Sequence, residues 1–342
     1  MIPAKMAHLA VVIPVYKGED CLDELLRRLV GALSAITENF RIVLVEDNGG
    51  DGSWRMIEAY SQAEPRICGL HFSRNFGQHT AIAAGLDHCD SEWVVVMDCD
   101  LQDAPEEIER LYRKALEGFD VVLARRIRRN EGRGRQFLAV AFGWLFERLT
   151  GRNYDPRVGA FRILSRRVVL AYRQFHEQTR LLGGAIDWLG FPTSSIDVEQ
   201  LPRFAGESTY RFGKLLRLAL DGIIAYSDRP LRLSIKAGLA IAAMSLLLGV
   251  GLVFKALFGT KPVEGWTSVI VSIYFIGGLI IANLGLVGAY IGKIYEESKG
   301  RPPYVIADAV GTFLNRQYHF TKPSDDRESP RPASEAFTNA RR

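Results

Sequence analysis

The chain has 342 residues, 48% of them apolar, and a net charge of only +4, so it can bury a large core and is not a disordered chain. A charge this small for the length gives no general affinity for nucleic acid. Cys21, Cys68, Cys89 and Cys99 form no C-x-x-C pair and no zinc-type spacing, which argues against disulfides and metal–thiolate sites and fits a reducing compartment.

The first apolar stretch, 9–15, is short and contains Pro14, so it is not read as a signal peptide and the domain after it is expected in the cytoplasm. From residue 8 to about 125 strand-like and helix-like segments alternate. Strands are expected at 9–15, 41–46, 67–72, 93–97 and 120–124, and helices at 20–35, 53–63, 78–89 and 105–117. This pattern predicts an open parallel α/β sheet with crossover helices, which binds ligands beyond the carboxyl ends of its strands. Polar residues follow every strand: Tyr16, then Glu46 and Asp47, then Ser73, Arg74 and Asn75, then Asp98 and Asp100, then Arg125 and Arg126. A solvated loop explains any one cluster, whereas all of them together predict a site on one edge.

The densest cluster is Met97-Asp98-Cys99-Asp100-Leu101-Gln102-Asp103-Ala104-Pro105-Glu106-Glu107. Asp98 and Asp100 have the D-x-D spacing in which one carboxylate meets a ribose or a metal and the next a divalent cation. Asp103 is expected as the N-cap of the following helix, with Pro105 and the two glutamates in its first turn.

Residues 125–135 hold six arginines, and 137–149 then reads as an amphipathic helix with an aromatic face. That is a membrane-surface pattern, with an ordinary packed helix after a charged loop as the alternative, and the segment from Tyr210 to residue 220 repeats it. Two uncharged stretches follow, 237–254 and 265–292, each long enough to cross a hydrocarbon core of roughly 30 Å. Arg229, Arg232 and Lys236 precede the first, and Lys293, Lys299 and Arg301 follow the second, against two lysines in the link 255–264. By the positive-inside rule both termini are cytoplasmic. The tail from about 322 is expected to be disordered.

At this point the residues resemble a family. Val12-Ile13-Pro14-Val15-Tyr16, Glu46-Asp47-Asn48-Gly49-Gly50-Asp51, Ser73-Arg74-Asn75-Phe76-Gly77, the Asp98 cluster, Asp155-Pro156-Arg157-Val158-Gly159-Ala160-Phe161-Arg162, and Pro202-Arg203-Phe204-Ala205-Gly206-Glu207-Ser208 stand in the order found in inverting family 2 glycosyltransferases that act on polyprenyl phosphates. The resemblance implies an α/β GT-A domain, the Rossmann-like nucleotide-diphospho-sugar transferase fold, over 1–210 with an interface helix at about 135–150. It further implies a juxtamembrane segment 211–232, a two-helix transmembrane hairpin at about 235–256 and 267–292, and a cytoplasmic tail 294–342.

Carried over by position, the resemblance places the nucleotide sugar, a UDP-sugar foremost, near Pro14, Tyr16, Glu19, Asp47, Asn75, Asp98 and Gln102. It places Mg²⁺ or Mn²⁺ at Asp98, Asp100 and Gln102. Arg126, Arg135 and Arg203 hold the diphosphate and, with Ser208, the acceptor phosphate, while Asp155 lies near the reacting centre. A loop acid paired with a neighbouring arginine is the alternative for Asp155. The family pattern departs at Gly18, Glu46 and Thr209, which bears on the donor. Polyprenyl phosphate, the lipid bilayer of the inner membrane and a second copy of the chain are the expected partners, and nucleic acid is not one. A processive polysaccharide synthase is a poorer fit, since the chain lacks a Q-x-x-R-W motif and further spans. A membrane-tethered nucleic-acid-binding protein is poorer still, since the arginine run has no aromatic residue before Phe137.

Overall fold

The structure, a computed structural model, describes residues 7–127, 148, 155, 157–175, 177–178, 180–201, 229–257 and 265–311. The strands in chain order are β1 (Ala7–Val15), β2 (Phe40–Glu46), β3 (Ile67–Phe72), β4 (Ser91–Val96), β5 (Val121–Ile127), β6 (Val158–Ser165), β7 (Thr193–Glu199) and β8 (Ile306–Val310). The helices are α1 (Glu19–Ser34), α2 (Ser53–Ala63), α3 (Gln78–Asp87), α4 (Ile108–Ala115), α5 (Arg166–Tyr172), α6 (Leu182–Leu189), α7 (Arg229–Leu257) and α8 (Trp266–Ser298).

All eight strands join one sheet in the order β7-β5-β6-β4-β1-β2-β3-β8. Strand β1 pairs in parallel with β2 and β4, and β2 with β3. These strands are buried on both faces, which is why they read as unbroken apolar runs. On one face Leu9, Val11, Ile13 and Val15 pack with Leu22, Leu25, Leu29 and Leu33 of α1 and Ile108 and Leu111 of α4. On the other, Ala10, Val12, Val94 and Val96 pack against α3, α5 and α6. In α1 the buried positions recur at three- and four-residue intervals, which turns its leucine stripe onto the sheet.

The five strands predicted between residues 8 and 125 all run in one direction, and the sheet gains three strands not expected from the sequence, two of them antiparallel. Strand β6 runs antiparallel between β4 and β5, and β8 runs antiparallel on the edge of β3. Two successive antiparallel pairings restore the original direction, so β5 still delivers Arg125 and Arg126 to the edge that receives Asp98 from β4. One correction concerns Asp103. The helix predicted at 105–117 begins as a 3₁₀ turn, Pro105–Glu107, continues as α4, and is preceded by Ala104 with no side-chain cap. Pro105, Glu106 and Glu107 do occupy the first turn, where Glu106 accepts from Arg28 Nε and Nη2 at 2.9 and 2.6 Å and fastens α1 to it.

The predicted spans 235–256 and 267–292 fall within α7 and α8. Among the described residues one segment, Phe275–Ser298, is long and apolar enough to cross a membrane, its most apolar 18-residue stretch having a mean hydropathy of 1.8 and no buried residue. The expected interface helix, apart from Arg148, the juxtamembrane segment up to residue 228 and the tail beyond residue 311 lie outside the described residues.

After α8 the chain returns to the sheet. Ser73 N donates to Val305 O at 3.0 Å, and Tyr304 stacks on Phe72 with ring centroids 5.4 Å apart. The Tyr304 hydroxyl donates to Asp87 Oδ2 at 3.0 Å, beside the bidentate pair of that carboxylate with Arg180. Where α8 ends, Glu297 accepts from Gln178 N at 2.9 Å, and Gln178 Nε2 donates to Arg301 O at 2.5 Å. Tyr304→Phe is expected to cost roughly 1–2 kcal/mol, read as a melting temperature lowered by a few degrees in detergent. A chain ending at residue 299 loses β8 altogether and is expected to give no monodisperse protein on size exclusion.

Candidate active site

The loops after β1, β2, β3 and β4 converge on one edge and brace one another. Pro14 lies inside β1, buried and in register with Val45. Tyr16 is the first residue beyond the strand and is 51% exposed. Lys17 turns the chain with φ 53°, and Gly18 N donates to Ser53 Oγ at 3.0 Å. A side chain at Gly18 would meet Val15 Cγ1 at 2.9 Å, so the turn admits only glycine without adjustment. Glu19 accepts from Gly52 N at 2.8 Å while its own amide donates to Asp51 Oδ2 at 3.2 Å. Glu19, expected on the nucleotide, thus cross-links two loops.

The pair after β2 is buried and fully used. Glu46 accepts from the amides of Asn48 and Gly49 at 3.1 and 2.6 Å and meets His71 Nδ1 at 2.5 Å, with the imidazole stacked on Trp54. Asp47 accepts from Phe76 N at 2.6 Å and Gly77 N at 2.9 Å, and its carbonyl accepts from Asn75 Nδ2 at 3.2 Å. Burial pushes the Asp47 carboxyl up, against the pull of the two amides. Asp47 and Asn75 therefore shape the loop that opens α3, and Gly77, at φ 96°, makes its bend.

The turn after β4 holds the charge. Asp98 accepts from Gln78 Nε2 at 2.6 Å, and Asp100 Oδ1 accepts from the amide of Gln102 at 3.1 Å, with Leu101 between them at φ 58°. The Gln102 carbonyl accepts from Leu201 N at 2.9 Å, which ties the turn to the segment after β7. Asp103, 1% exposed, accepts from Arg126 Nε and Nη2 at 3.1 and 2.7 Å. Burial, then the neighbouring Asp103 and Asp100, push Asp98 up to about 6 despite Arg126 and Gln78. Negative charge is in excess at this turn.

Arg126, expected to bind phosphate, already holds a bidentate carboxylate. Arg125 likewise donates to Asp197 Oδ1 at 2.5 Å. Asp155 accepts from Arg157 Nε and Nη2 at 2.9 and 2.8 Å, and those bonds hold its carboxyl below the usual range. Arg135, Arg203 and Ser208 lie outside the described residues.

The chemistry of the donor set can be tested for a divalent cation. No group of three or more His, Cys, Asp or Glu closes on one point among the described residues. A hard cation that keeps phosphate oxygens and water in its shell needs only one or two carboxylates. Asp98 and Asp100, crowded and partly exposed, fit that requirement.

Three residues of this edge carry no functional expectation from the sequence: Gln78, Asp103 in its pairing role, and Arg162. Gln78 could have been found by the strand-edge rule, since it opens the helix after β3. Asp103→Ala strands Arg126 in a half-buried position, and breaking such a pair costs about 3–5 kcal/mol. Chemical denaturation is expected to register that loss; an unchanged midpoint would show that the pair does not organise the turn.

Comparison with known proteins accords with this geometry. Residues 10–172 match the model of glycosyl transferase family 2. A glycosyltransferase of uncharacterised role from Synechocystis is 36% identical over 305 residues, spanning 89% of this chain and 96% of the relative. The bactoprenol glucosyl transferase of Shigella phage SfV is 35% identical over 299 residues, with coverage of 87% and 97%. The undecaprenyl-phosphate 4-deoxy-4-formamido-L-arabinose transferase of Photorhabdus laumondii is 35% identical over 311 residues, with coverage of 90% and 95%. With identity at this level over nearly the whole length of each relative, and a mixed α/β sheet that gathers its acids on one edge, the chain belongs to glycosyl transferase family 2.

Proposed function

We propose that the protein transfers a single sugar, with inversion, from a nucleotide sugar to a polyprenyl phosphate at the cytoplasmic face of the inner membrane. The observation that carries this reading is the near full-length identity to two transferases named for bactoprenol and undecaprenyl phosphate. A UDP-sugar is the proposed donor, seated over Pro14 and Tyr16, with Asp47 and Asn75 fixing the loop beneath it.

Asp98 and Asp100, with Gln102 beside them, would hold Mg²⁺ or Mn²⁺. When bound, the cation neutralises the diphosphate that leaves. Gln78 orients Asp98, and Asp103 fixes Arg126 beside the turn. A phosphate monoester is already anionic near neutral pH, its second pKa being about 6, so it can attack the sugar without a strong base. Asp155, held low by Arg157, is a weak base and is assigned the role of positioning that arginine. Arg135, Arg203 and Ser208 are assigned to the acceptor phosphate from the family resemblance.

We assign α7 and α8 to a transmembrane hairpin. Leu239, Leu247 and Ile281 are each more than 70% exposed, which suits contact with lipid or with a second copy and would be costly in water. Basic residues flank the hairpin at both outer ends, which supports a topology with both termini in the cytoplasm.

A panel of nucleotide sugars with polyprenyl phosphate and Mn²⁺, tested in native membranes, is expected to yield a lipid-linked sugar; absence of product with every donor sinks the reading. Asp100→Ala is expected to abolish transfer while leaving the circular dichroism and melting temperature intact. Asp98 supplies a pH test. Its carboxyl is raised in the fold, so its contribution to stability is present below its unfolded value and is lost as pH rises through about 6. A divalent cation that compensates the ionised form is therefore expected to raise the melting temperature at pH 7.5 and to do so progressively less below pH 6.

A further inference from the structure

Arg162 lies in the middle of the sheet, on β6, opposite Val96 of β4 and Leu123 of β5. It is 6% exposed. Burying a guanidinium is expensive unless an anion or a full set of acceptors receives it. The fold supplies only part of that set. Nε donates to Ala160 O at 3.1 Å and Nη2 to Gly159 O at 2.5 Å. No carboxylate lies within ion-pair distance among the described residues, in contrast to the half-buried Arg126 and the buried Arg180, each of which has a bidentate aspartate.

The two carbonyls also show where the guanidinium reaches. Both lie toward the start of β6, and because β6 is antiparallel to β4, that end is the edge where β4 presents Asp98. Gly159 is the pivot: its carbonyl takes Arg162, and a side chain built on it would meet Arg126 Cζ at 3.0 Å. The two cations therefore stand on either side of one glycine, Arg126 toward α4 and Arg162 toward α3 and α6.

Nη1 is the remaining nitrogen, and it donates to no described protein atom. No fully buried side-chain nitrogen or oxygen among the described residues lacks a partner, so Nη1 keeps an opening to the outside. On the α6 side that opening is bordered by Gly183, whose absent side chain would come to 4.0 Å from Nη1. The charged and titratable groups that act on Arg162 are Asp187, Asp98, Tyr172 and His79. Burial of Arg162 outweighs the favourable acids and lowers it to about 10, still a cation at neutral pH.

We propose that Arg162 is a phosphate-binding residue of the transfer site, its Nη1 donating to a phosphate oxyanion that enters beside Asp98 from the side of α3 and α6. The ligand chemistry is a phosphate oxygen, from either the donor diphosphate or the acceptor lipid phosphate. This deepens the transferase reading given above and rests on it.

The test uses the full-length protein in nanodiscs and two probes, UDP with Mn²⁺ and farnesyl phosphate, with binding measured by calorimetry. Arg162→Lys keeps the charge but cannot serve two carbonyls and a phosphate together. It is expected to weaken binding of one probe at least tenfold and to raise KM for the matching substrate, with little change in KM for the other. Loss at UDP assigns the oxyanion to the donor; loss at farnesyl phosphate assigns it to the acceptor. Gly183→Val leaves Arg162 intact and fills the space beside Nη1, so it is expected to reproduce the same selective loss even if the lysine variant folds poorly. Wild-type binding of both probes by Gly183→Val, or a loss in Arg162→Lys that merely follows the folded fraction with both KM values unchanged, overturns the proposal. Because the binding arms need no turnover, failure to form lipid-linked sugar from any donor would count against the transferase reading while leaving the Arg162 result legible.

Discussion

Three carboxylates at the end of one strand repel one another, and much of this edge is arranged around that repulsion. Asp98, Asp100 and Asp103 follow β4 within a few residues, and a sheet buried on both faces offers no water from below to screen them. The structure divides the load. Asp103 is taken out of the site by a bidentate arginine, Asp98 is held by the amide of Gln78, and Asp100 is folded back on the amide of Gln102. Arg126 on one face of the sheet and Arg162 on the other supply positive field without forming a direct ion pair to Asp98. What remains is an edge with negative charge still in excess at the turn and cations poised around it, which suits a site that must admit a cation and phosphate anions together.

The loops that frame this turn are built from acids used as structural acceptors. Glu46, Asp47, Asp51 and Glu19 each accept from backbone amides, most of them in a neighbouring loop. A carboxylate that takes two amides at short range makes strong, charge-assisted bonds and fixes a loop more firmly than neutral partners do. The acids of this edge therefore fall into two kinds, those that hold loops and those left able to meet a ligand. They differ by partner and not by spacing in the sequence.

That distinction explains what the sequence could and could not disclose. Strands β1 to β4 were legible because a strand buried on both faces must be apolar throughout, and their order placed the polar clusters on the correct edge. Strand β6 was hidden by Arg162, which interrupts its apolar run, and β7 by the polar alternation of an edge strand. Asp103 had every local mark of a helix cap, yet its partner is Arg126, and no reading of neighbouring residues could supply a contact that depends on strand β5. The family resemblance named Arg126 and Asp155 as site residues, but their pairing with Asp103 and Arg157 follows from side-chain geometry alone.

The return of the chain to β3 after the two long helices has a consequence for biosynthesis. Strand β8 is separated from the rest of the sheet by α7 and α8, so it leaves the ribosome only after both helices have been made. Until then β3 is an open edge, with unpaired amides and carbonyls of the kind that recruit other chains. The nascent domain must therefore be held soluble with its sheet incomplete while α7 and α8 find their place, and closure by β8 reports that they have done so. A helix pair that failed to find its place would leave Tyr304 and β8 badly placed to reach β3, and the open edge would favour aggregation.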